Sequence, residues 1–288
     1  MAIGLGLVVA SFIIYAQLTW SHFLGDAHVY LAAGERLNAG HRLYEIGPGD
    51  RPVPIQPPFW TRPLVSPPPI AVLWRPLAAL PGDLGVTVWW LAELVVVAVS
   101  IWWLARSHPL RTGIALAVLA IPLAMELGLG NVNGYILGGT LATWVLRRHP
   151  IAGVIVGTMA ALKLWPVALG VWLLGQRAWK VLLVAMATAG AWVVVSLVGA
   201  GVDNHLAYLD VAATVHPSAF SLTWLFGLPW LWIVCWVGFL AATIGLQRSA
   251  SWSFRAAVLA MVLGTPVANP NTYAMLLALA VDGQGRPE

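Results

Sequence analysis

The first acidic residue of the chain is Asp26. It comes six residues after the apolar stretch MAIGLGLVVASFIIYAQLTW ends and opens a helix-like stretch carrying Tyr30, Glu35 and Arg36. A carboxylate held just outside a membrane surface can take a proton from a group bound there. It can equally cap the helix that begins beside it, and one oxygen can cap while the other accepts a proton. Lys163 stands in MAALKLWPVAL. An unpaired ammonium in hydrocarbon is costly, but at a helix break beside Pro166 it can reach a lipid phosphate as a point charge; the competing reading is a snorkelling lysine. Glu126 precedes LGLGNVNGY, where Gly128, Gly130 and Gly134 give a flexible turn and Asn131 and Asn133 supply amides. That set suits sugar hydroxyls, or simply a tight helical hairpin. Arg51, Arg62 and Arg75 put positive charge in or beside a proline-rich run, where phosphate or anionic headgroups could meet it. Asn269, Asn271 and Tyr273 surround Pro270 at a membrane exit, where polar groups line cavities more often than they face lipid. Glu93 is expected to pair across the bundle. His205, Asp210 and His216 match no dependable metal spacing, so no metal site is expected, and no cofactor either.

These residues need a scaffold that tolerates very few charges. The 288 residues are 60% hydrophobic and only 9% charged, against about 25% charged in an ordinary soluble domain. The bilayer must then be the solvent. The apolar runs are continuous rather than alternating, which excludes a β-barrel and predicts an all-α polytopic membrane protein. The net charge of +4 is no sign of nucleic acid. The basic residues cluster at segment ends, Arg106/Arg111, Arg147/Arg148, Arg177/Lys180 and Arg248/Arg255, as the positive-inside rule requires of cytoplasmic loops. Many of the 17 tryptophans fall near segment ends, as interfacial belts do. The single cysteine, Cys235, excludes an intramolecular disulfide.

The pattern predicts one transmembrane domain over residues 1–288. A first helix covers about 3–20; it lacks a basic n-region and is read as retained rather than as a signal peptide. An outer loop of about 21–83 holds two surface helices, AHVYLAAGERLNAG, closed at Gly40, and PIAVLWRPLAAL, too short to span. Further helices are expected over about 85–105, 112–128 and 133–146. Residues 150–175 read as two short helices meeting at Lys163, which keeps the later loops in phase; one kinked helix would invert them. Spans follow at about 180–200, 224–246 and 254–268, with an outer loop of about 201–222. TYAMLLALAV is short for a span. No short-period repeat is present.

Four stretches carry a family likeness. GDAHVYLAAGERLNAGHRLYE is similar to D-x-x-V-Y…A…L…G…L-Y, SPPPIAVLWRPLAALP to Y-P-P…P-L-A-x-L-P, GLGNVNGYILGGTLA to L-G-Q-x-N, and AGVIVGTMAALKLWPVAL to A-G…G…A-x-K-x-x-P. In this order, over roughly residues 20–180, they resemble the integral-membrane GT-C glycosyltransferases. The nearest likeness is to glycosyltransferase family 87, the bacterial polyprenyl-phosphate-mannose-dependent α-mannosyltransferases. The resemblance implies a GT-C-like helical bundle that moves a hexose, mannose above all, from a polyprenyl-phosphate donor to a glycolipid or polysaccharide acceptor. Transfer would occur on the outer face of the plasma membrane, with inversion at the anomeric carbon. It implies Asp26 as base and Lys163 at the donor phosphate, helped by Arg75 and Arg62. Tyr30, Glu126, Asn131, Asn133, Asn269, Asn271 and Tyr273 would then contact sugar or acceptor. Two departures stand out. The family's Gln-x-Asn reads Asn131-Val132-Asn133, and its later S-P-x-S-W-x-H-H reads Asn269-Pro270-Asn271-Thr272-Tyr273-Ala274-Met275-Leu276, without either histidine. Rival readings are a transporter or flippase for a lipid-linked sugar, which shares broken helices and buried charge, and a non-catalytic membrane homologue.

Overall fold

The computed structural model describes residues 1–20, 23–45, 64–214 and 217–281. Arg51, Arg62 and His216 lie outside the described residues. The described residues form helices and no strand, and the protein is an all-α polytopic membrane protein. Among the described residues two helices are long and apolar enough to cross a bilayer, α4 (Leu84–Ser107) and α10 (Trp179–Ala200). Their outer faces leave Val95, Trp102, Met186, Val194 and Val198 exposed. Lipid, not water, is the solvent those side chains fit.

A layer of shorter helices lies against one end of these spans. It consists of α2 (Gly25–Asn38) and α3 (Pro68–Trp74), followed by a 3-10 turn at Leu77–Ala79. His28 Nε2 lies 3.8 Å from Asp83 at the start of α4. Arg75 Nε donates to Asn38 Oδ1 and its Nη1 donates to the Gly199 carbonyl near the end of α10. So α4 leaves the layer and α10 arrives at it. The basic clusters at Arg106/Arg111 and Arg177/Lys180 occupy the opposite ends of these spans. The chain turns out of α2 at Gly40, whose φ of 75° is left-handed and suits a residue without a Cβ.

Helices α7 (Asn133–Val145), α8 (Pro150–Leu162) and α9 (Val167–Gly175) form a zigzag. Starting near Asn133, α7 runs away from the layer; α8 returns to Lys163, and α9 leaves again. The far ends meet in one aromatic cluster. Trp144 of α7 stacks 4.9 Å from Phe254, and Trp172 of α9 lies 5.1 Å from that same ring, which belongs to α14 (Ala250–Leu263). The two short helices predicted over 150–175 are therefore present, and they enter and leave by the same end. Pro166 has no N–H for the Leu162 carbonyl and disfavours helical backbone at Trp165. Lys163 accordingly caps α8 in an extended conformation, φ −143° and ψ 135°. Gly153 and Gly157 let α8 press on α10: a side chain at either would strike the Val181 or Ala185 carbonyl. Small residues spaced in this way are how membrane helices approach closely.

Three expectations need correction and one is refined. The span predicted over 112–128 is two helices, α5 (Pro109–Val118) and α6 (Ala120–Leu129), bent by 71°. Pro122 cannot donate to the Val118 carbonyl, so the helix breaks one turn earlier. The outer loop predicted over 201–222 contains a helix, α11 (Val202–Thr214), and a shorter one, α12 (Leu222–Phe226), precedes α13 (Leu231–Gly245). The stretch judged short for a span is an 11-residue 3-10 helix, Pro270–Ala280. At about 2.0 Å per residue it covers about 22 Å, and its last residue is followed by the Val281 carbonyl, which accepts from Arg111 and Arg255. Finally, Asp26 does not cap α2. The cap position is Leu24, held in the left-handed region at φ 57°, with its N–H donated to the Gly128 carbonyl at 2.7 Å.

Candidate functional site

The Leu24–Gly128 hydrogen bond joins the start of α2 to the end of α6 and decides where Asp26 points. With no capping bond to the backbone, its carboxylate turns to the α6–α7 turn. There Gly130 adopts a left-handed φ of 64°, open to glycine without steric cost. The turn is braced from behind by aromatic side chains: Trp89 Nε1 donates to the Gly130 carbonyl at 3.0 Å, and the Tyr135 hydroxyl donates to the Trp89 carbonyl. The two rings lie 4.4 Å apart. Asn131 and Asn133 are thus held on a rigid corner, at 8% and 1% exposure.

Around this corner runs a polar chain. Asn131 Nδ2 donates to Asp26 Oδ2 at 2.5 Å. Lys163 Nζ donates to Asn131 Oδ1 at 3.1 Å and to Asn133 Oδ1 at 2.7 Å. Asn133 Nδ2 continues to Glu126 Oε2 at 3.1 Å, and Asn271 Nδ2 meets the same oxygen at 2.7 Å. Each asparagine of the corner uses its carbonyl toward the ammonium and its amide toward a carboxylate. The lysine charge is matched by Asp26 and Glu126 through one residue on each side, which is how a half-buried charge is tolerated here. An ammonium has three donors, and two are used here.

Asp26, Asn131, Asn133 and Lys163 face one cavity of about 410 Å³, together with Tyr30, Ser66, Tyr208, Asn269 and Thr272. Trp165, Trp232 and Met275 form apolar wall, with the two indoles edge to face at 6.3 Å. Burial raises the Asp26 carboxyl above the ordinary aspartate value, against the opposing pull of the Asn131 hydrogen bond and the Lys163 charge. Burial likewise pushes the Tyr30 phenol well up, so it stays protonated. A carboxylate of raised basicity joined to a cation through one shared asparagine, inside an aromatic-walled cavity, can accept a proton while the cation holds an anion.

Not every residue singled out by sequence reaches the cavity. Glu126 is 1% exposed and its oxygens are taken by Asn133, Asn271 and the Gly134 N–H. Asn271 is buried beside it. Asn269 lines the cavity while its Oδ1 accepts from Ser218. The Tyr273 hydroxyl donates to the Phe220 carbonyl. Arg75 ties α2 and α10 together, as described above, and Arg62 is among the residues not described. Conversely, Tyr208, Trp232 and Thr265 line the cavity without having been singled out. They come from α11, α13 and the segment after α14, and no local motif marks them. Trp165 had a signal, its place between Lys163 and Pro166. A larger open hollow of about 780 Å³ at Ser107–Arg111 and Leu276–Ala280 contains no carboxylate and shares no residue with this cavity. Among the described residues no three His, Cys, Asp or Glu side chains gather as a metal site.

Fold and site together define a polytopic membrane protein in which broken helices bring a carboxylate and an ammonium to one semi-enclosed, aromatic-walled cavity. The pattern of glycosyltransferase family 87 matches residues 65–270, and the chain belongs to that family. It is 26% identical over 233 residues to a polyprenol-phosphate-mannose-dependent alpha-(1-2)-phosphatidylinositol pentamannoside mannosyltransferase of Mycolicibacterium smegmatis, covering 75% of this chain and 56% of that one. A protein of the same description from Mycobacterium tuberculosis is also 26% identical, over 229 residues, covering 73% and 52%. The chain thus spans about half the length of these relatives. No solved structure matches it.

Proposed function

We propose that this chain carries the catalytic cavity of a membrane mannosyltransferase. It takes mannose from a polyprenyl-phosphate donor and delivers it to a hydroxyl of a lipid-linked or glycan acceptor. The observation that carries this reading is the single cavity holding Asp26 and Lys163, linked through Asn131. Membership of glycosyltransferase family 87 and the activity for which the relatives are named supply the donor class.

The chemistry follows from the two charges. The acceptor oxygen attacks the anomeric carbon from the face opposite the phosphate, forming one C–O bond as the bond to the phosphate oxygen breaks. Configuration inverts. The hydroxyl proton passes to Asp26, whose raised basicity suits a general base. The leaving group is a phosphate monoester; the third N–H of Lys163 is directed to stabilise its charge as it departs. Tyr30, Asn131, Asn133 and Asn269 offer hydroxyl and amide partners to the sugar, and Trp165 and Trp232 offer apolar faces to sugar or isoprenoid. Neither histidine of the family's later motif is needed for these two roles. A flippase would not require a base linked to the cation through one asparagine, and no observation favours that reading.

The cavity sits at the layer formed by α2 and α3, at the spans' ends opposite the basic clusters. The positive-inside rule then puts those clusters and the N-terminus in the cytoplasm and the cavity on the outer face of the plasma membrane. The test is direct. Membranes containing the protein, given labelled polyprenyl-phosphate mannose and total lipid extract, should form a new mannosylated product. Loss of label from the donor leaflet without a new glycosidic product would instead identify a flippase and end the transferase reading.

A further inference from the structure

One densely bonded ionisable group lies outside the cavity. Glu126 Oε1 accepts the Gly134 N–H at 2.7 Å, and Oε2 accepts from Asn133 and Asn271. Those donors come from three places: the first residue of α7, the second residue of α7 and the start of the 3-10 helix. A carboxylate that takes N–H bonds from a helix N-terminus is placed where the helix dipole favours it. On its other side stands Glu93 of α4, fully buried, with no N–H or O–H among the described residues reaching either oxygen. The group it faces is the carboxyl of Glu126. Gly134 makes room for this pair; a Cβ there would lie 2.5 Å from Glu93 Oε1.

We infer that Glu126 is a positioning residue for the donor phosphate, acting on Lys163 through Asn133. This rests on the mannosyl-transfer reading above and adds to it a role for a residue that touches no substrate. The reasoning is one of directed bonds. Asn133 can offer its carbonyl to Lys163 only if its amide has an acceptor behind it, and Glu126 Oε2 is that acceptor. With the acceptor removed, the amide is free to turn over, presenting N–H to N–H at the ammonium. Lys163 then keeps Asn131 alone, and its third donor is no longer aimed. Asp26, held by Asn131 on the other arm, is left in place. The arrangement therefore separates two functions: Asn131 serves the base, and Glu126 with Asn133 serves the cation.

The experiment compares donor KM and kcat of the full-length chain in detergent or nanodiscs, with polyprenyl-phosphate mannose as donor. Glu126→Gln removes the negative charge behind Asn133 and turns one of the two oxygens into an N–H donor among three donors. Donor KM should rise about tenfold, the effect of one lost charge-assisted hydrogen bond, and kcat should fall with it, because the same ammonium stabilises the departing phosphate. The reciprocal swap, Glu126→Gln combined with Asn133→Asp, should restore donor KM to within about threefold of wild type. In the swap the amide at position 126 donates to the carboxylate at position 133, and that carboxylate meets Lys163 directly. A purely structural role would lower the melting temperature and leave donor KM unmoved, and the swap would not help; either result overturns the inference. Should Glu126→Gln fail to fold, Glu126→Asp draws the same carboxylate one methylene back from the Asn133 amide. It should raise donor KM in the same direction, and an unchanged value overturns the inference. If the wild-type chain transfers no mannose from this donor, both this and the transferase reading fall. If wild type transfers, Asp26→Asn does not, and Glu126→Gln keeps wild-type KM, only the positioning role falls.

Discussion

Asp26→Asn separates chemistry from folding more cleanly than any other change. Asparagine has the same shape and still offers Oδ1 to the Asn131 amide, but it cannot take a proton near neutral pH. Loss of a general base costs on the order of 10²–10⁴ in rate, which corresponds to roughly 3–5 kcal/mol of barrier. Stability should move little, and the structure gives the sign. Asp26 makes no capping bond in α2, because Leu24 holds that position, so no cap is lost. Its folded-state pKa lies above the ordinary aspartate value, with burial as the leading cause. Ionising it in the folded protein is therefore less favourable than in the unfolded chain, and its contribution to stability is lost as pH rises through the folded value. Removing that ionisation offsets the weaker neutral hydrogen bond to Asn131, worth about 1 kcal/mol. Melting temperature and mannosyl transfer, measured on one purified sample at pH 7, should show an Asp26→Asn protein that melts close to wild type and transfers at least a hundredfold more slowly. Wild-type kcat/KM should in turn rise with pH through the raised Asp26 value and fall away below it. A stable variant with near wild-type transfer would remove Asp26 from the chemistry and, with it, most of the case for this cavity.

Lys163→Met should weaken donor binding by tenfold or more, whereas Lys163→Arg should keep part of it; equal donor affinity in wild type and Lys163→Met would reduce the lysine to a structural charge between two asparagines. Gly157→Val should wedge α8 from α10, since its side chain meets the Ala185 carbonyl and Thr188. A cost of about 1–3 kcal/mol is expected for such overpacking, read as a lower melting temperature. Cysteine introduced at exposed Asp203 should label from outside intact cells, and at exposed Arg148 only after permeabilisation. Labelling at Arg148 in intact cells would reverse the orientation.

The sequence alone was enough for class and motif. A chain this apolar has only the helix open to it in lipid, so all-α followed from composition. The break at Lys163 was legible because Pro166 removes a specific hydrogen bond, and the returning hairpin of α8 and α9 follows from that one missing N–H. The 71° bend between α5 and α6 was written in Pro122 by the same rule, but it lay inside a run whose hydropathy read as one span. Asp26, Asn131, Asn133 and Lys163 could each be named, because polar groups are rare in such a chain. Their partnership could not. Which asparagine serves which carboxylate depends on a left-handed Leu24 and a left-handed Gly130, and on the crossing of α2 over the end of α6. Glu126 was read as a sugar contact, yet it is sealed beneath the cavity floor, since a carboxylate's surroundings are set by the helices that close around it. Tyr208 and Trp232 carried no signal at all. They reach the cavity only because α11 and α13 pack there, through long-range contacts that periodicity along the chain does not record.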